Sequence, residues 1–456
     1  MTTATTAPAT LAEALPRIRA ILAEFAPGVG ARDLAFEHPD ALIQALADAG
    51  FGRLRVPVEY GGFGVDLPTL FGLLAEAGQA DSNIPQIWRG HFTTTEILRA
   101  ETDPVVREHW FRRIGQGAVF GNAQSEPSAL VAEAVGEAVG WGVTTTRAVV
   151  GADGVRTVSG TKFYSTGARF ADYIRAAVID EQDVRGFVVI PARHSGVTHA
   201  DDWDGIGQRQ TGSGTTYFEN VPVEENGDIG RFKESLRGLD SFVQIVHLAN
   251  LTGIARSIVA ETTDIVRART RTSLHALSPR ATEDPDILSV IGTLEARRLT
   301  AETLLRHAAE QLETAHAAGT EAAYTRAYLD TSAAQIAVIE AVLDAATRAF
   351  DAGGSSTVRN SVHLDRHWRN ARTLASHNPV IYKPRVLGDF VLNGNAPVPG
   401  YYRQRPSIND TPDEDTQVSS PVDSGHVTSS PGNDVFESNP DSGELASAAA
   451  TTSEAR

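Results

Sequence analysis

The hydrophobic period of this chain changes twice along its length, and that order of helical, extended and again helical segments constrains the fold more than any single motif. Leu11, Leu15, Ile18, Leu22 and Phe25 recur at helical spacing, as do Leu70, Phe71, Leu74 and Ala77, while Pro39 and Gly50 bracket a shorter helix over 42–49. From Val119 to about Val223 the pattern becomes short β-branched and aromatic runs at 143–150, 155–164, 173–179, 186–190 and 215–221. Gly151-Ala152-Asp153-Gly154 reads as a hairpin turn between two of them. After Gly238, stretches at 239–272, 286–318, 321–352, 359–376 and 380–392 alternate Ala, Leu and Ile with Arg and Glu. Runs of that length predict antiparallel helices packed as a four-helix bundle. The expected fold is therefore α+β: a helical domain over 8–120, a small antiparallel β domain over 121–230 and a bundle over 236–395.

Composition narrows the chemistry. With 41% hydrophobic content in 456 residues there is material for a large core, and the absence of cysteine removes disulfides, thiolate metal sites and thiol nucleophiles. About half of the net charge of −17 comes from the stretch Asp410 to Arg456, where ten acids face a single base. The segment 403–456, rich in Ser, Pro, Gly and Asp, is expected to be a disordered acidic tail. An acidic body without a basic stripe argues against nucleic acid, and neither a signal sequence nor a run of about 18 apolar residues is evident, so a cytoplasmic protein with no membrane partner is expected.

The segment Leu54-Arg55-Val56-Pro57-Val58-Glu59-Tyr60-Gly61-Gly62-Phe63-Gly64 resembles the N-terminal signature of acyl-CoA dehydrogenases. The resemblance covers about residues 10–395 and implies that superfamily's N-terminal helical domain, middle β-barrel domain and C-terminal four-helix bundle. Acyl-CoA dehydrogenases carry a carboxylate base after an R-x-A-R stretch in the last bundle helix. The matching stretch here is Arg369-Asn370-Ala371-Arg372-Thr373-Leu374-Ala375-Ser376-His377-Asn378-Pro379, with no Glu. Removing an α proton from a thioester needs a base within hydrogen-bond reach, so the dehydrogenation is handicapped. Four stretches resemble instead the superfamily's two-component flavin monooxygenases: Arg89-Gly90-His91-Phe92, Phe163-Tyr164-Ser165-Thr166-Gly167, the segment from Asp202 to Thr216 with Trp203-Asp204-Gly205, and Asp365-Arg366-His367-Trp368 running on to His377.

That resemblance implies reduced FMN as the cofactor, with FAD as the alternative flavin, molecular oxygen as co-substrate, and a small organic substrate oxygenated at S or N by way of a flavin C4a-hydroperoxide. No GxGxxG turn follows a strand, so the reduced flavin is expected from a separate NAD(P)H:flavin reductase. By resemblance His91, Ser165 and His377 take the catalytic places. Asn122, Ser125, Phe163, Ser165 and Trp203 line the flavin, Arg269 and Arg271 hold its phosphate, and the assembly is a homotetramer. Asn378 follows the late histidine where relatives often have Asp, which weakens His377 as an acid or base. Simpler readings stand beside these. His91 is a core histidine and Arg269 and Arg271 a solvated helix face, and His363, Asp365 and His367 form no metal site because i and i+2 point apart on a helix. The alternative functions are a dehydrogenase or oxidase with a relocated base, and a flavin-fold protein without catalysis.

Overall fold

The computed structural model describes residues 7–126, 144–229 and 237–397. The expected acidic tail lies outside them. Six helices come first: α1 (Leu11–Phe25), α2 (Val29–Ala35), α3 (Asp40–Asp48), α4 (Leu67–Ala80), α5 (Asn83–Arg99) and α6 (Pro104–Gly115). Thr10, Asp66 and Asp103 cap α1, α4 and α6 by accepting backbone N–H groups. In α1, Ala14, Ile18 and Leu22 form the buried face that the spacing predicts. Almost every side chain of α5 is buried, which makes it the central helix of this layer. The glycine pair before α4 works as a turn: Gly61 has φ +86°, and a Cβ on Gly62 would lie 2.1 Å from the Val56 carbonyl oxygen. Arg55 locks the same loop to α5 through a buried pair with Glu96 at 2.7 Å.

Seven strands follow: β1 (Phe120–Ala123), β2 (Arg147–Val150), β3 (Arg156–Lys162), β4 (Tyr173–Ile179), β5 (Arg185–Pro191), β6 (Val197–His199) and β7 (Thr216–Pro222). They form one curled sheet of order β1-β4-β2-β3-β7-β6, with β5 paired to β4. The hairpin at Gly151 to Gly154 is present, and β2 and β3 pair antiparallel across it. The expectation of a wholly antiparallel sheet is corrected at β4, which pairs in parallel with β1 and with the end of β2. β1 is four buried residues without alternation, so it carries no period-2 signal, and its partner lies 53 positions on in register Phe120 to Tyr173. Gly160 (φ +149°) sits at the bulge where β3 shifts register against β7.

The bundle consists of α7 (Leu239–Ala268), α8 (Pro285–Ala318), α9 (Glu321–Gly353), α10 (Asp365–His377) and α11 (Lys383–Asn393). Gly319 in the left-handed region and the Thr320 cap turn α8 into α9. The last long helix is shorter than expected, because 3₁₀ turns occupy 355–358 and 360–362 before α10 begins. By length and composition α7 could cross a membrane, but 89% of its most apolar window is buried inside the protein, as befits the central helix of the core. It packs against α4, α5, α8 and α9, so the helical layers before and after the sheet share one hydrophobic core. The fold is that of the acyl-CoA dehydrogenases: helical domain, curled-sheet domain, helical bundle.

Candidate active site

A cleft of about 440 Å³ opens between α5, the end of β1, the loop 203–213 and α10. That volume falls within the range of small-molecule and cofactor sites. One wall is aromatic. Phe163 and Tyr164 pack at 4.3 Å between ring centroids with their planes tilted by 48°, and Trp203 meets Tyr164 edge-on at 5.8 Å. Tyr164 holds a positive φ of 56°, a conformation that needs support from its surroundings. Part of that support is the backbone bond from Phe163 N–H to the Ser125 carbonyl at 2.9 Å. Beneath it, Lys162 and Glu126 form an ion pair at 2.6 Å with both side chains fully buried. Glu126 also accepts from the backbone N–H and hydroxyl of both Thr145 and Thr146. These donors hold its carboxyl below the ordinary carboxylate range against the opposing effect of burial.

The Trp203 loop is tied to the opposite wall. Trp203 Nε1 donates to the Gln208 carbonyl at 3.0 Å, and Gln208 N–H donates to Asn370 Oδ1 on α10 at 2.6 Å. Gly207 leaves no room for a side chain, since a Cβ there would lie 2.3 Å from the Arg369 carbonyl oxygen. Sequence spacing does not show this packing, yet it fixes the gap between Trp203 and α10. Thr166, Ser213 and Thr211 form a chain of hydroxyls at 2.7 and 2.6 Å along the floor.

The structure brings together Asn122, Ser125, Trp203 and His377 on the cleft wall. Phe163 flanks it through Tyr164. Ser165 lies between two lining residues, Tyr164 and Thr166; it is 1% exposed and its Oγ has no partner. A buried hydroxyl without a partner costs free energy unless a ligand completes it. Three predicted residues stand elsewhere. His91, on α5, is fully buried: its Nε2–H donates to the Gly52 carbonyl at 2.7 Å, and its Nδ1 accepts from Phe120 N–H at 3.2 Å. Burial pushes its pKa down to about 4, so it is a neutral pin between the Gly52 turn and β1, as the core-histidine reading expects. Arg269 and Arg271 do not line the cleft; Arg269 donates to the Ala352 carbonyl at 2.7 Å and Arg271 is exposed. The guanidiniums that do line it belong to Arg89 and Arg372.

His247 escaped the sequence reading. It sits on α7 with its ring centroid 4.4 Å from that of His377. His377 is exposed to the cleft, and desolvation there together with the Arg89 cation lowers its pKa. Burial, then His377 and Arg89, lower that of His247. Both imidazoles are neutral at pH 7. The only available signal for His247 was a histidine inside the apolar run from Phe242 to Leu251. Among the described residues no cluster of three or more metal-ligating side chains occurs, and His367 is paired with Glu261.

Two family profiles match: "Acyl-CoA dehydrogenase, N-terminal domain" over residues 15–118 and "Acyl-CoA dehydrogenase, C-terminal domain" over 245–381. Dibenzothiophene monooxygenase of Rhodococcus erythropolis is 31% identical over 392 residues, 81% of this chain and 91% of that protein. The chain belongs to the acyl-CoA dehydrogenase superfamily. Most of the relatives are named as monooxygenases, and one, 25% identical, as a putative acyl-CoA dehydrogenase of Bacillus subtilis. A probable FMNH2-dependent monooxygenase of Pseudomonas putida is 29% identical, covering 85% of this chain and 97% of the relative. Methanesulfinate monooxygenase of Pseudomonas fluorescens superposes with a TM-score of 0.77 at 28% identity, over 85% of this chain and 99% of the other. FMN-bound TdsC of Paenibacillus sp. A11-2 gives the same score at 26% identity, over 86% and 100%. In this superfamily a cleft facing the last bundle helix is the place to look for the carboxylate of a dehydrogenase. Among the described residues that line it there is no Asp or Glu.

Proposed function

We propose that this protein is the oxygenase component of a two-component system. It takes reduced FMN from a separate NAD(P)H:flavin reductase and places one atom of molecular oxygen on the sulfur of a small organic substrate; the other atom leaves as water, and the flavin supplies two electrons. The observation that carries this reading is the cleft wall without a carboxylate, in which imidazole stands where a dehydrogenase needs an acid anion. The dehydrogenase alternative lacks a base there.

The residues present suit a flavin. Asn122, Ser125 and the Phe163, Tyr164 and Trp203 wall would hold a flat ring system, and the unpartnered Ser165 hydroxyl would hydrogen-bond it without adding charge. When bound, the flavin supplies the electrons and the activated oxygen. The His377 imidazole carries an N–H at one ring nitrogen that can hydrogen-bond toward the reacting oxygen. The buried α7 agrees with a cytoplasmic enzyme, and we extend the reading to a homotetramer.

The test is rapid mixing of the protein with chemically reduced FMN and then with oxygen. A transient absorbing species that precedes oxidised FMN is expected. Ser165→Ala and His377→Ala should divert the oxygen consumed to hydrogen peroxide. Immediate appearance of oxidised FMN in the unaltered protein would overturn the oxygenase reading.

A further inference from the structure

A second cavity, of about 260 Å³, lies away from the cleft, where the end of α5 meets the start of α7 and the turn from α8 into α9. Along α5, Arg99 on its wall stands about 15 Å from Arg89 on the cleft wall, at about 1.5 Å of rise per residue. Close packing shapes this cavity. Gly238, with φ +81°, begins α7, and a Cβ there would lie 2.9 Å from the Tyr324 ring and 3.0 Å from Leu312. Tyr324 in turn meets His316 at 5.8 Å between ring centroids. Leu239 and Phe242 form an apolar side.

The polar groups on the walls are mostly donors. Arg99 and Arg237 supply two guanidiniums, and among the described residues no carboxylate pairs with Arg237. Among the described lining residues Glu96 is the one acid. Arg55 takes up both of its oxygens, at 2.7 and 3.1 Å, and leaves Arg99 at 3.8 Å. Burial and then the Arg55 cation disfavour the charge of Arg99 by more than the nearby carboxylates restore. Burial holds Tyr324 above the ordinary phenol range and His316 below the ordinary imidazole range, so at pH 7 they are neutral O–H and N–H donors. Gly238 gives the 30-residue α7 no side-chain cap, so the positive end of that helix lies next to Arg237 in the chain. Asp240, in the same turn, does not line the cavity, and its charge bears on Lys383.

A carboxylate, with one charge and two oxygens, would leave part of this set unpaired. A phosphate monoester carries nearly two charges at pH 7 and three acceptor oxygens, and guanidiniums and helix N-termini are the donors that suit it. We propose that this cavity is a binding site for a small phosphate monoester, its phosphoryl group between Arg99 and Arg237 and its organic group against Leu239 and Phe242. Tyr324 and His316 donate to the phosphoryl oxygens. The site is separate from the cleft, and the inference does not rest on the oxygenase reading.

The test is calorimetric titration of the FMN-loaded protein with phenyl phosphate, compared with benzoate and inorganic phosphate. Phenyl phosphate should bind at least about tenfold tighter than either, since benzoate has one charge and inorganic phosphate has no ring for the apolar side. Arg237 is exposed, and Arg237→Gln should weaken phenyl phosphate by roughly 10- to 100-fold, the loss of one charge-assisted hydrogen bond. Tyr324→Phe should weaken it by about two- to tenfold, with FMN affinity within about twofold in both variants. Arg99→Gln should match Arg237→Gln, but it also disturbs the Arg55 and Glu96 pair, so Arg237→Gln decides if that variant folds poorly. Absence of phenyl phosphate binding would overturn the proposal, as would benzoate or inorganic phosphate binding equally well. Affinity unchanged in both Arg237→Gln and Tyr324→Phe would overturn it too, because the anion would then sit elsewhere. So would a parallel loss of FMN affinity, which would give these groups to the flavin's own phosphate.

Discussion

Replacing His91 by Phe should produce a stability defect that shrinks as the solution is acidified. At pH 8 the substitution keeps an aromatic ring beside Trp88, Phe92 and Phe120 but leaves the Gly52 carbonyl and the Phe120 N–H without their partner. Each buried polar group so orphaned costs about 1–3 kcal/mol, and relaxation recovers part of it, giving a loss of roughly 2–4 kcal/mol. The unaltered protein carries a penalty of its own at lower pH. Burial holds the folded pKa of His91 at about 4, whereas the unfolded chain takes up the proton near 6.5. A depressed histidine stabilises above the unfolded pKa, and that stability is lost as pH falls from 6.5 toward 4, where the unfolded state binds more protons. By pH 5 the loss is about 2 kcal/mol. His91→Phe has no such group, so the gap between the two proteins should close by that amount between pH 8 and pH 5. Urea unfolding followed by near-UV circular dichroism at the two pH values reads the gap. A gap that stays constant, or a variant as stable as the parent at pH 8 yet inactive, would refute the pin and return His91 to catalysis.

Two further outcomes follow from the ties that hold the cleft. Lys162→Met strips the counter-ion from Glu126 in a fully buried pair and should cost about 3–5 kcal/mol in urea unfolding, with weaker FMN binding by fluorescence quenching, while Lys162→Met combined with Glu126→Gln should recover a large part. Asn370→Ala removes the acceptor for Gln208 N–H and should loosen the Trp203 loop by about 1–3 kcal/mol of local stability, visible as faster amide exchange at 203–208; unchanged exchange would show the loop to be held by other contacts.

What could be read in advance follows from how local each determinant is. The long helices α7, α8 and α9 announce themselves because each repeats its pattern over thirty or more residues, and the Gly151 hairpin because its turn chemistry is contained in four. The glycine pair at 61–62 is legible for the same reason. The parallel pairing of β1 was not, since four buried residues without alternation name no partner. Nor was the role of His91, whose two hydrogen-bond partners stand 39 and 29 positions away and involve only backbone atoms. Family likeness marked His91 and the fold decides what its nitrogens touch. His247 shows the reverse: nothing in its neighbourhood in the chain distinguishes it, and its meaning arises only when α7 and α10 bring two rings together.

The cleft has polar groups in plenty but keeps ionic charge on one side. Asn122, Gln208 and the His377 imidazole are neutral, and the lining cations are arginines, which do not give up a proton. A site that must take a proton from carbon needs the opposite, a carboxylate whose pKa can be set near working pH. A site that must keep a reactive oxygen species from being protonated too early is better served by donors that hold their protons tightly. Desolvation in the cleft and then the Arg89 cation supply this by disfavouring a charged His377 imidazole that would act as a free acid. On this argument a carboxylate introduced at His377 should not by itself restore dehydrogenation.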